Sequence, residues 1–177
     1  MSELIEKIYR YDSIISYRLG DLRSYNGLTT LMIFASRLGD GPVWTISSLI
    51  LFVLGGPTGR HAAMLVAAST MLCVGIFKAL KKATSRKRPF ETYPDLLIEY
   101  SLPPPDAFSF PSGHSMNAFA IAVIMGYYFP FMMLPLLALA FLIAASRVFL
   151  ALHYPTDCFA GAFVGVLVAR GLIFFAG

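Results

Sequence analysis

The longest uncharged stretch of the chain limits what it can fold into more than any other feature. From residue 107 to residue 146 there are forty residues without Asp, Glu, Lys or Arg. A helix crosses a bilayer with about 20 apolar residues, so this stretch is too long for one crossing and long enough for two. Pro130 and Pro135 mark the turn between the two crossings.

The composition agrees with a protein embedded in a membrane. Hydrophobic residues make up 57% of the 177 residues and charged residues 14%, whereas a typical soluble domain is about 25% charged. The sequence therefore predicts an all-α integral membrane protein with one domain, residues 1–177, and it excludes an ordinary soluble domain.

The remaining apolar segments complete a bundle of transmembrane helices. We predict six, at residues 24–38, 42–56, 60–80, 114–129, 132–149 and 156–175. The first two are short for a bilayer about 30 Å thick, and a single broken span there would give five. Six crossings are favoured because the RLGDGP segment, residues 37–42, would be costly in the middle of a membrane but forms a good turn.

The first 23 residues carry alternating apolar and charged positions and no apolar core of a signal peptide. They predict an amphipathic helix that lies on the membrane surface. Six crossings would put both termini on one side, and the polar segment 78–113 and His153 on the other. Basic residues are nearly balanced between the two sides. The positive-inside rule therefore gives an orientation only if the basic cluster in the 78–113 segment is discounted because its charges serve chemistry. On that assumption both termini are cytoplasmic and residues 78–113 form an extracytoplasmic loop.

The sequence predicts no cofactor and no metal site. Cys73 and Cys158 lie in apolar surroundings without a CxxC pair, and the chain has only three histidines. A zinc site of the usual kind needs more ligands at closer spacing. Both cysteines are therefore expected to be buried packing residues.

Three polar patches interrupt the apolar sequence, and the first is strongly basic. It is KKATSRKRPF, residues 81–90, inside a cluster of six cations: Lys78, Lys81, Lys82, Arg86, Lys87 and Arg88. Its ordinary interpretation is a solvated run at a membrane surface that attracts lipid headgroups, with no role in binding nucleic acid.

The second patch, FPSGHS at residues 110–115, opens the long apolar run. Backbone N–H groups at a helix N-terminus form an anion site, and Gly113 allows an anion to approach closely. His114 in the first turn can donate a proton to a ligand or a leaving group. An ordinary helix cap with an interfacial histidine explains the same residues equally well.

The third patch, SRVFLALHYPTD at residues 146–157, places Ser146, Arg147, His153 and Asp157 between two apolar spans. Asp157 follows His153 by four residues, about one helical turn. Its carboxylate can accept a hydrogen bond from one imidazole nitrogen and leave the other free to attack. The alternative is that Asp157 only stabilises a helix N-terminus.

Taken together, the three patches predict a phosphoryl-transfer site that works without metal. Arginine can bind two phosphate oxygens at once, and lysine supplies a point charge. Two histidines with different partners can act as nucleophile and acid, while the cations stabilise the transition state in place of Mg²⁺.

At these residues the sequence resembles the type-2 phosphatidic acid phosphatase superfamily. That family carries three separated motifs, K-x6-R-P, P-S-G-H and S-R-x5-H-x3-D. All three are present with the family's spacing: Lys81 with Arg88 and Pro89; Pro111, Ser112, Gly113 and His114; Ser146 and Arg147 with His153 and Asp157.

The resemblance implies a role for each matching residue. His153 would be the nucleophile that forms a phosphohistidine, Asp157 would orient it, and His114 would protonate the leaving group. The phosphate-binding residues would be Lys81, Arg88, Ser112, Gly113 and Arg147. Small members of the family are bacterial inner-membrane enzymes with the site on the periplasmic or outer surface.

The substrate implied is a lipid phosphate drawn from the bilayer. Candidates are undecaprenyl diphosphate, phosphatidylglycerol phosphate, phosphatidic acid and lipid A 1-phosphate, and the motifs do not separate monophosphates from diphosphates. Two alternatives are a membrane transporter or channel that binds phosphate without hydrolysis, and a vanadium-dependent haloperoxidase.

Several polar residues outside the motifs are expected to have no catalytic role. Lys78, Lys82, Arg86 and Lys87 are expected to be solvated surface charges. Asp40 lies on the same side as the proposed site and could touch the active loop, although a turn residue is the favoured interpretation. His61 is expected to be an interfacial residue.

Overall fold

The computed structural model describes residues 2–96 and 106–176, and these residues are helical or irregular with no β-strand. Eight α-helices are found there: α1 (Ser2–Asp21), α2 (Asn26–Leu38), α3 (Gly41–Leu54), α4 (Gly56–Thr84), α5 (Pro89–Thr92), α6 (Gly113–Tyr128), α7 (Met133–Phe149) and α8 (Pro155–Ala176). The all-α prediction is confirmed. Residues 97–105 of the predicted polar segment 78–113 lie outside the described residues.

Helix α6 is the centre of the bundle and packs against α4, α7 and α8. Its sequence is apolar on every face, which is typical of a helix surrounded by protein. Met116, Ala120 and Ile124 are buried in one core cluster together with Leu65 and Val66 of α4. The N-terminus of α6 is thereby held rigidly between the other helices.

Helices α6 and α8 approach closely because α8 has glycine at the contact. A Cβ atom on Gly161 would lie 2.4 Å from the carbonyl oxygen of Ser112, and one on Gly165 would lie 2.1 Å from that of Met116. Small residues let helix backbones come together in this way, which increases van der Waals contact. This contact fixes the start of α6, where His114 lies, against α8, where Asp157 lies.

Three helical segments are long and apolar enough to cross a membrane: Gly56–Thr92, Pro130–Phe149 and Pro155–Ala176. Helices α2 and α3 reach that length only together, and they are bent by 53° at their break. Helix α6 has 16 residues. Large apolar side chains point outward from several helices, among them Leu54, Phe131, Leu134, Phe174 and Phe175. Both cysteines are buried, as predicted.

The N-terminal helix does not lie where the six-span prediction puts it. That prediction places residues 1–23 at the opposite end of the bundle from the segment 78–113. In the structure Asp12 of α1 is buried and forms an ion pair with Arg86 at 2.7 Å. The hydroxyl oxygens of Ser13 and Tyr93 are 2.9 Å apart. The predicted placement of residues 1–23 is therefore wrong.

The physical reason is that both ends of α2 lie near the C-terminal part of α7. Arg23, just before α2, donates a hydrogen bond to the carbonyl oxygen of Phe149. At the other end of α2, a Cβ on Gly39 would lie 2.8 Å from Ile143. Phe149 and Ile143 are separated by less than two turns of α7, so the two ends of α2 contact neighbouring turns of that helix. Counting apolar segments treats such a half-length helix as a full crossing of the membrane. The residues before it are then assigned to the wrong side of the membrane.

The close approach of α6 and α8 predicts an effect of adding one methyl group. Gly165→Ala should lower the melting temperature of the detergent-solubilised protein, because overpacking costs about 1–3 kcal/mol. Gly171→Ala on the same helix is the matched control, since nothing lies within 4 Å of a Cβ there. Both changes raise helix propensity equally, so equal melting temperatures would contradict the close contact.

Candidate active site

The three polar patches meet at one cavity of about 140 Å³ at the end of the bundle. Six of the eight predicted site residues line it: Lys81, Arg88, Gly113, His114, Arg147 and His153. Ser112 and Asp157 are fully buried next to this cavity. Helices α4, α6 and α7 and the loop before α8 each contribute, so the site exists only when the bundle is assembled.

His153 is buried in the short connection between α7 and α8. Its Nδ1 lies 2.7 Å from the carbonyl oxygen of Ser109, and its Nε2 lies 3.3 Å from Nη1 of Arg88. A carbonyl oxygen only accepts hydrogen bonds, so Nδ1 carries the proton. Nε2 is therefore unprotonated, and its lone pair accepts the contact from Nη1 of Arg88.

The environment keeps this imidazole uncharged. Burial, and then the positive charges of Arg88, Arg147 and Lys81, hold the pKa of His153 well below its ordinary value. A neutral imidazole is the nucleophilic form, so His153 has the protonation state that attack on phosphorus requires.

Asp157 does not make the hydrogen bond to His153 that the sequence suggests. The distance from its Oδ2 to Nδ1 of His153 is 3.7 Å, which is too long for a hydrogen bond. Instead Oδ2 accepts from the backbone N–H of Tyr154 at 2.8 Å. The backbone carbonyl of Asp157 accepts from the N–H of Ser112 at 3.0 Å. Asp157 thus fixes the loop that carries His153, while Ser109 fixes the ring.

Lys81 and Arg88 share one carboxylate at the mouth of the cavity. Oδ1 of Asp106 lies 2.6 Å from Nζ of Lys81 and 2.9 Å from Nη2 of Arg88. Burial alone would raise the pKa of Asp106, but the hydrogen bond from Lys81 and the charges of both cations hold it below the ordinary value. Sequence reasoning missed Asp106, because no spacing rule links it to either motif.

Arg147 is buried at the end of α7 and is only partly satisfied. Its Nη1 donates to the hydroxyl of Ser36 on α2. Its Nε has no hydrogen-bond partner among the described residues. Arg147 also lines the cavity, and a guanidinium there is suited to an anionic ligand.

The P-S-G-H motif forms the start of α6 as predicted. The Ser112 hydroxyl caps the helix and accepts from the N–H of Ser115 at 3.4 Å. Gly113 lines the cavity beside the ring of Phe77, which a Cβ would approach to 3.1 Å. The positive end of the helix dipole therefore faces the cavity at Gly113 and His114.

Asp40 makes the contact with the site that the sequence left open. Its Oδ1 lies 2.9 Å from Nε2 of His114. Asp40 is the residue before α3, and the adjacent Gly39 packs so closely on His114 that a Cβ would lie 2.8 Å from the ring. It is a turn residue, as expected, and it also touches the site.

Arg86 is not the solvated surface charge that was predicted. It forms ion pairs with Asp12 at 2.7 Å and with Asp157 at 2.6 Å. Its guanidinium also stacks on the ring of Tyr154 at 4.1 Å and on that of Tyr9 at 4.7 Å. The sequence did not reveal this role, because nothing in it distinguishes Arg86 from the other five cations of the basic cluster.

Comparison with known proteins gives the family. The PAP2 superfamily model matches residues 62–176. An undecaprenyl-diphosphatase of Sulfolobus acidocaldarius is 30% identical over 149 residues, which are 81% of this chain and 70% of that protein. A decaprenylphosphoryl-5-phosphoribose phosphatase of Mycolicibacterium smegmatis is 30% identical over 130 residues, 71% and 67% of the two chains.

A solved structure has the same fold. The crystal structure of a transmembrane PAP2-type phosphatidylglycerolphosphate phosphatase from Bacillus subtilis superimposes with a TM-score of 0.72 at 26% identity. The match covers 96% of this chain and 86% of that one. With the family match, the shared fold and the converging motifs, the chain belongs to the PAP2 superfamily and is a membrane phosphatase.

Proposed function

We propose that the protein hydrolyses the terminal phosphate of a membrane lipid phosphate or diphosphate through a phosphohistidine on His153, without a metal ion. The observation that carries this proposal is one cavity that brings His153, whose Nδ1 is held by the carbonyl oxygen of Ser109, together with the cations Lys81, Arg88 and Arg147. A nucleophile beside cations that bind phosphoryl oxygens is what phosphoryl transfer requires.

In the first step Nε2 of His153 attacks phosphorus, and the bond from phosphorus to the lipid oxygen breaks. Lys81, Arg88 and Arg147 stabilise the charge on the phosphoryl oxygens, and the N-terminus of α6 at Ser112 and Gly113 adds its N–H groups. His114 gives a proton to the leaving oxygen.

In the second step water replaces the histidine on phosphorus. His114, which lost its proton in the first step, takes one from the attacking water. The N–P bond breaks, Nε2 regains its lone pair, and inorganic phosphate leaves. Asp157 and Ser109 keep the histidine in place through both steps.

The substrates that fit are lipids with a terminal phosphate at the membrane surface. Undecaprenyl diphosphate, phosphatidylglycerol phosphate, phosphatidic acid and lipid A 1-phosphate all qualify. The relatives support a lipid and do not decide between one phosphate and two, because one is named for a diphosphate and another for a phosphoribose ester.

Phosphate release from these four lipids tests the mechanism. The purified protein should release phosphate with EDTA present, and orthovanadate should inhibit because it mimics the phosphoryl group. His153→Ala should reduce the rate by at least a thousandfold, as loss of a nucleophile does. His61→Ala is the matched control, since His61 packs on Tyr128, away from the cavity.

Three outcomes would contradict the proposal. EDTA-sensitive turnover would point to metal chemistry, and full activity in His153→Ala would remove the nucleophile. Vanadate binding without turnover of any lipid would favour a phosphate-binding transporter, and bromide oxidation by the vanadate-loaded protein would favour a haloperoxidase.

A second cavity offers a path for the lipid chain. It encloses about 500 Å³ between α3, α4 and α6 and is mainly apolar. Its lining includes Trp44, Leu49, Phe52, Met64, Ala67 and Met71. It shares the lining residues Gly39, Gly41 and Asn117 with the catalytic cavity, so the two cavities are adjacent. We propose that the acyl or isoprenoid chain lies here and that the phosphate enters sideways from the bilayer.

Narrowing this cavity should affect long lipids selectively. Ala67→Phe is expected to lower kcat/KM for a long-chain lipid phosphate about tenfold, and to leave the rate with p-nitrophenyl phosphate unchanged. Ala138→Phe is the matched control, because Ala138 is exposed on α7 and does not line the cavity. Equal rates of the two variants on the long-chain lipid would refute this path.

The contacts of α1 lead us to propose five membrane crossings in place of six. The crossings are the bent pair α2 with α3, then α4, α6, α7 and α8. Helix α1 lies as an interfacial helix on the face that carries the site. We place that face outside the cytoplasmic membrane of a bacterium, and the C-terminus inside, which leaves Arg60 and Arg170 near the cytoplasm.

Labelling of single introduced cysteines separates the two paths. Arg10→Cys and Arg170→Cys both replace exposed side chains, and the native cysteines are buried. A membrane-impermeant maleimide on right-side-out spheroplasts should label Arg10→Cys and not Arg170→Cys. The six-span path predicts that neither is labelled, and labelling of Arg170→Cys alone would invert the orientation.

A further inference from the structure

We infer that Asp40 is a positioning residue for His114 that makes this site act on phosphate monoesters in preference to diphosphates. This inference rests on the proposed function and adds the class of leaving group. Its basis is a carboxylate placed on the second histidine by the turn between α2 and α3, outside the three family motifs.

The contact between Asp40 and His114 is built into the turn. The N–H of Asp40 donates to the carbonyl oxygen of Arg37 at 3.0 Å, and Asp40 is the last residue before α3. Gly39 lets the turn reach His114, since a Cβ there would lie 2.8 Å from the ring. The carboxylate of Asp40 is then 2.9 Å from Nε2.

The effect of this contact is to keep a proton on His114. A hydrogen bond to a carboxylate favours the protonated imidazole. Burial of the imidazole and the charges of Arg147 and Lys81, which also face His114, oppose it. A bound phosphate anion would offset those cations and act together with Asp40 to favour the protonated form. His114 is then an imidazolium that can give up a proton.

A proton at this position matters for one kind of leaving group. When a phosphate monoester is cleaved, the lipid leaves as an alkoxide, which is strongly basic and needs a proton. When a diphosphate is cleaved, the lipid leaves as a phosphate, whose charge is already delocalised. General acid catalysis therefore accelerates the first reaction much more than the second.

The charges around the cavity also favour phosphate monoesters over diphosphates. Its described lining has three cations, Lys81, Arg88 and Arg147, and Asp106 is already paired with two of them. The negative charge of Asp40 lies beside His114, the residue that gives the leaving group its proton in the proposed mechanism. A second phosphate placed there would meet a carboxylate and no further cation of the described lining.

The test compares one lipid that carries either one phosphate or two. Dioctanoyl phosphatidic acid and dioctanoylglycerol diphosphate have the same chains, and phosphate release gives kcat/KM for each. We expect the wild-type protein to favour the monoester. Asp40→Asn should lower kcat for the monoester by ten- to a hundredfold and change the diphosphate rate by less than threefold, because general acids typically contribute about 10²–10⁴.

Two further measurements separate positioning from damage to the fold. With p-nitrophenyl phosphate, whose leaving group needs no proton, Asp40→Asn should retain the wild-type rate. With the monoester, the alkaline limb of the kcat–pH profile should move to lower pH, since His114 loses its proton more readily without the carboxylate. Asp21→Asn removes an exposed carboxylate from α1 and is the matched control.

Each result bears on the inference. Equal losses on all three substrates would assign Asp40 a purely structural role and overturn it. A wild-type preference for the diphosphate would overturn it as well. If the wild-type protein cleaves none of the substrates, the proposed function itself is wrong, and the inference goes with it.

Discussion

The structure depends on the pairing of positive charges that lie inside an apolar bundle. Lys81, Arg88 and Arg147 are all buried, and a buried charge is costly unless a partner compensates it. Asp106 serves two of them and Ser36 binds the third. These partners come from different parts of the chain. The need to satisfy the cations therefore determines how α2, α4, α7 and the segment before α6 meet.

A second layer of charge holds the first in place. Arg86 bridges Asp12 on α1 to Asp157 on α8, and its guanidinium lies between two tyrosine rings. Thr156 donates its backbone N–H to Asp12 at 3.1 Å. Through Asp157 this layer reaches the loop of His153. The N-terminal helix is thus part of the support of the site, although it contributes no residue to the cavity lining.

The sequence predicted which residues meet at the site better than it predicted their surroundings. The three motifs correctly identified Lys81, His114 and His153 as neighbours at one cavity, because each motif lies at or beside the end of a helix. The sequence did not reveal Ser109, whose contribution is a backbone carbonyl that every residue has. It missed Asp106 and left the contact of Asp40 open, because a single acid in a turn carries no pattern. The side of α1 was wrong because apolar length does not distinguish a half-crossing from a full one.

The carboxylate of Asp106 has a consequence for how the site exchanges ligands. Its Oδ1 accepts hydrogen bonds from Lys81 and Arg88, the donors that the proposed mechanism assigns to a phosphoryl oxygen. In that mechanism, arrival of a substrate would be a substitution of one anion for another, with little net change in charge pairing. The same carboxylate is at hand when inorganic phosphate departs, so the cations are never left bare. An internal counter-ion of this kind weakens the hold on product and favours turnover over retention.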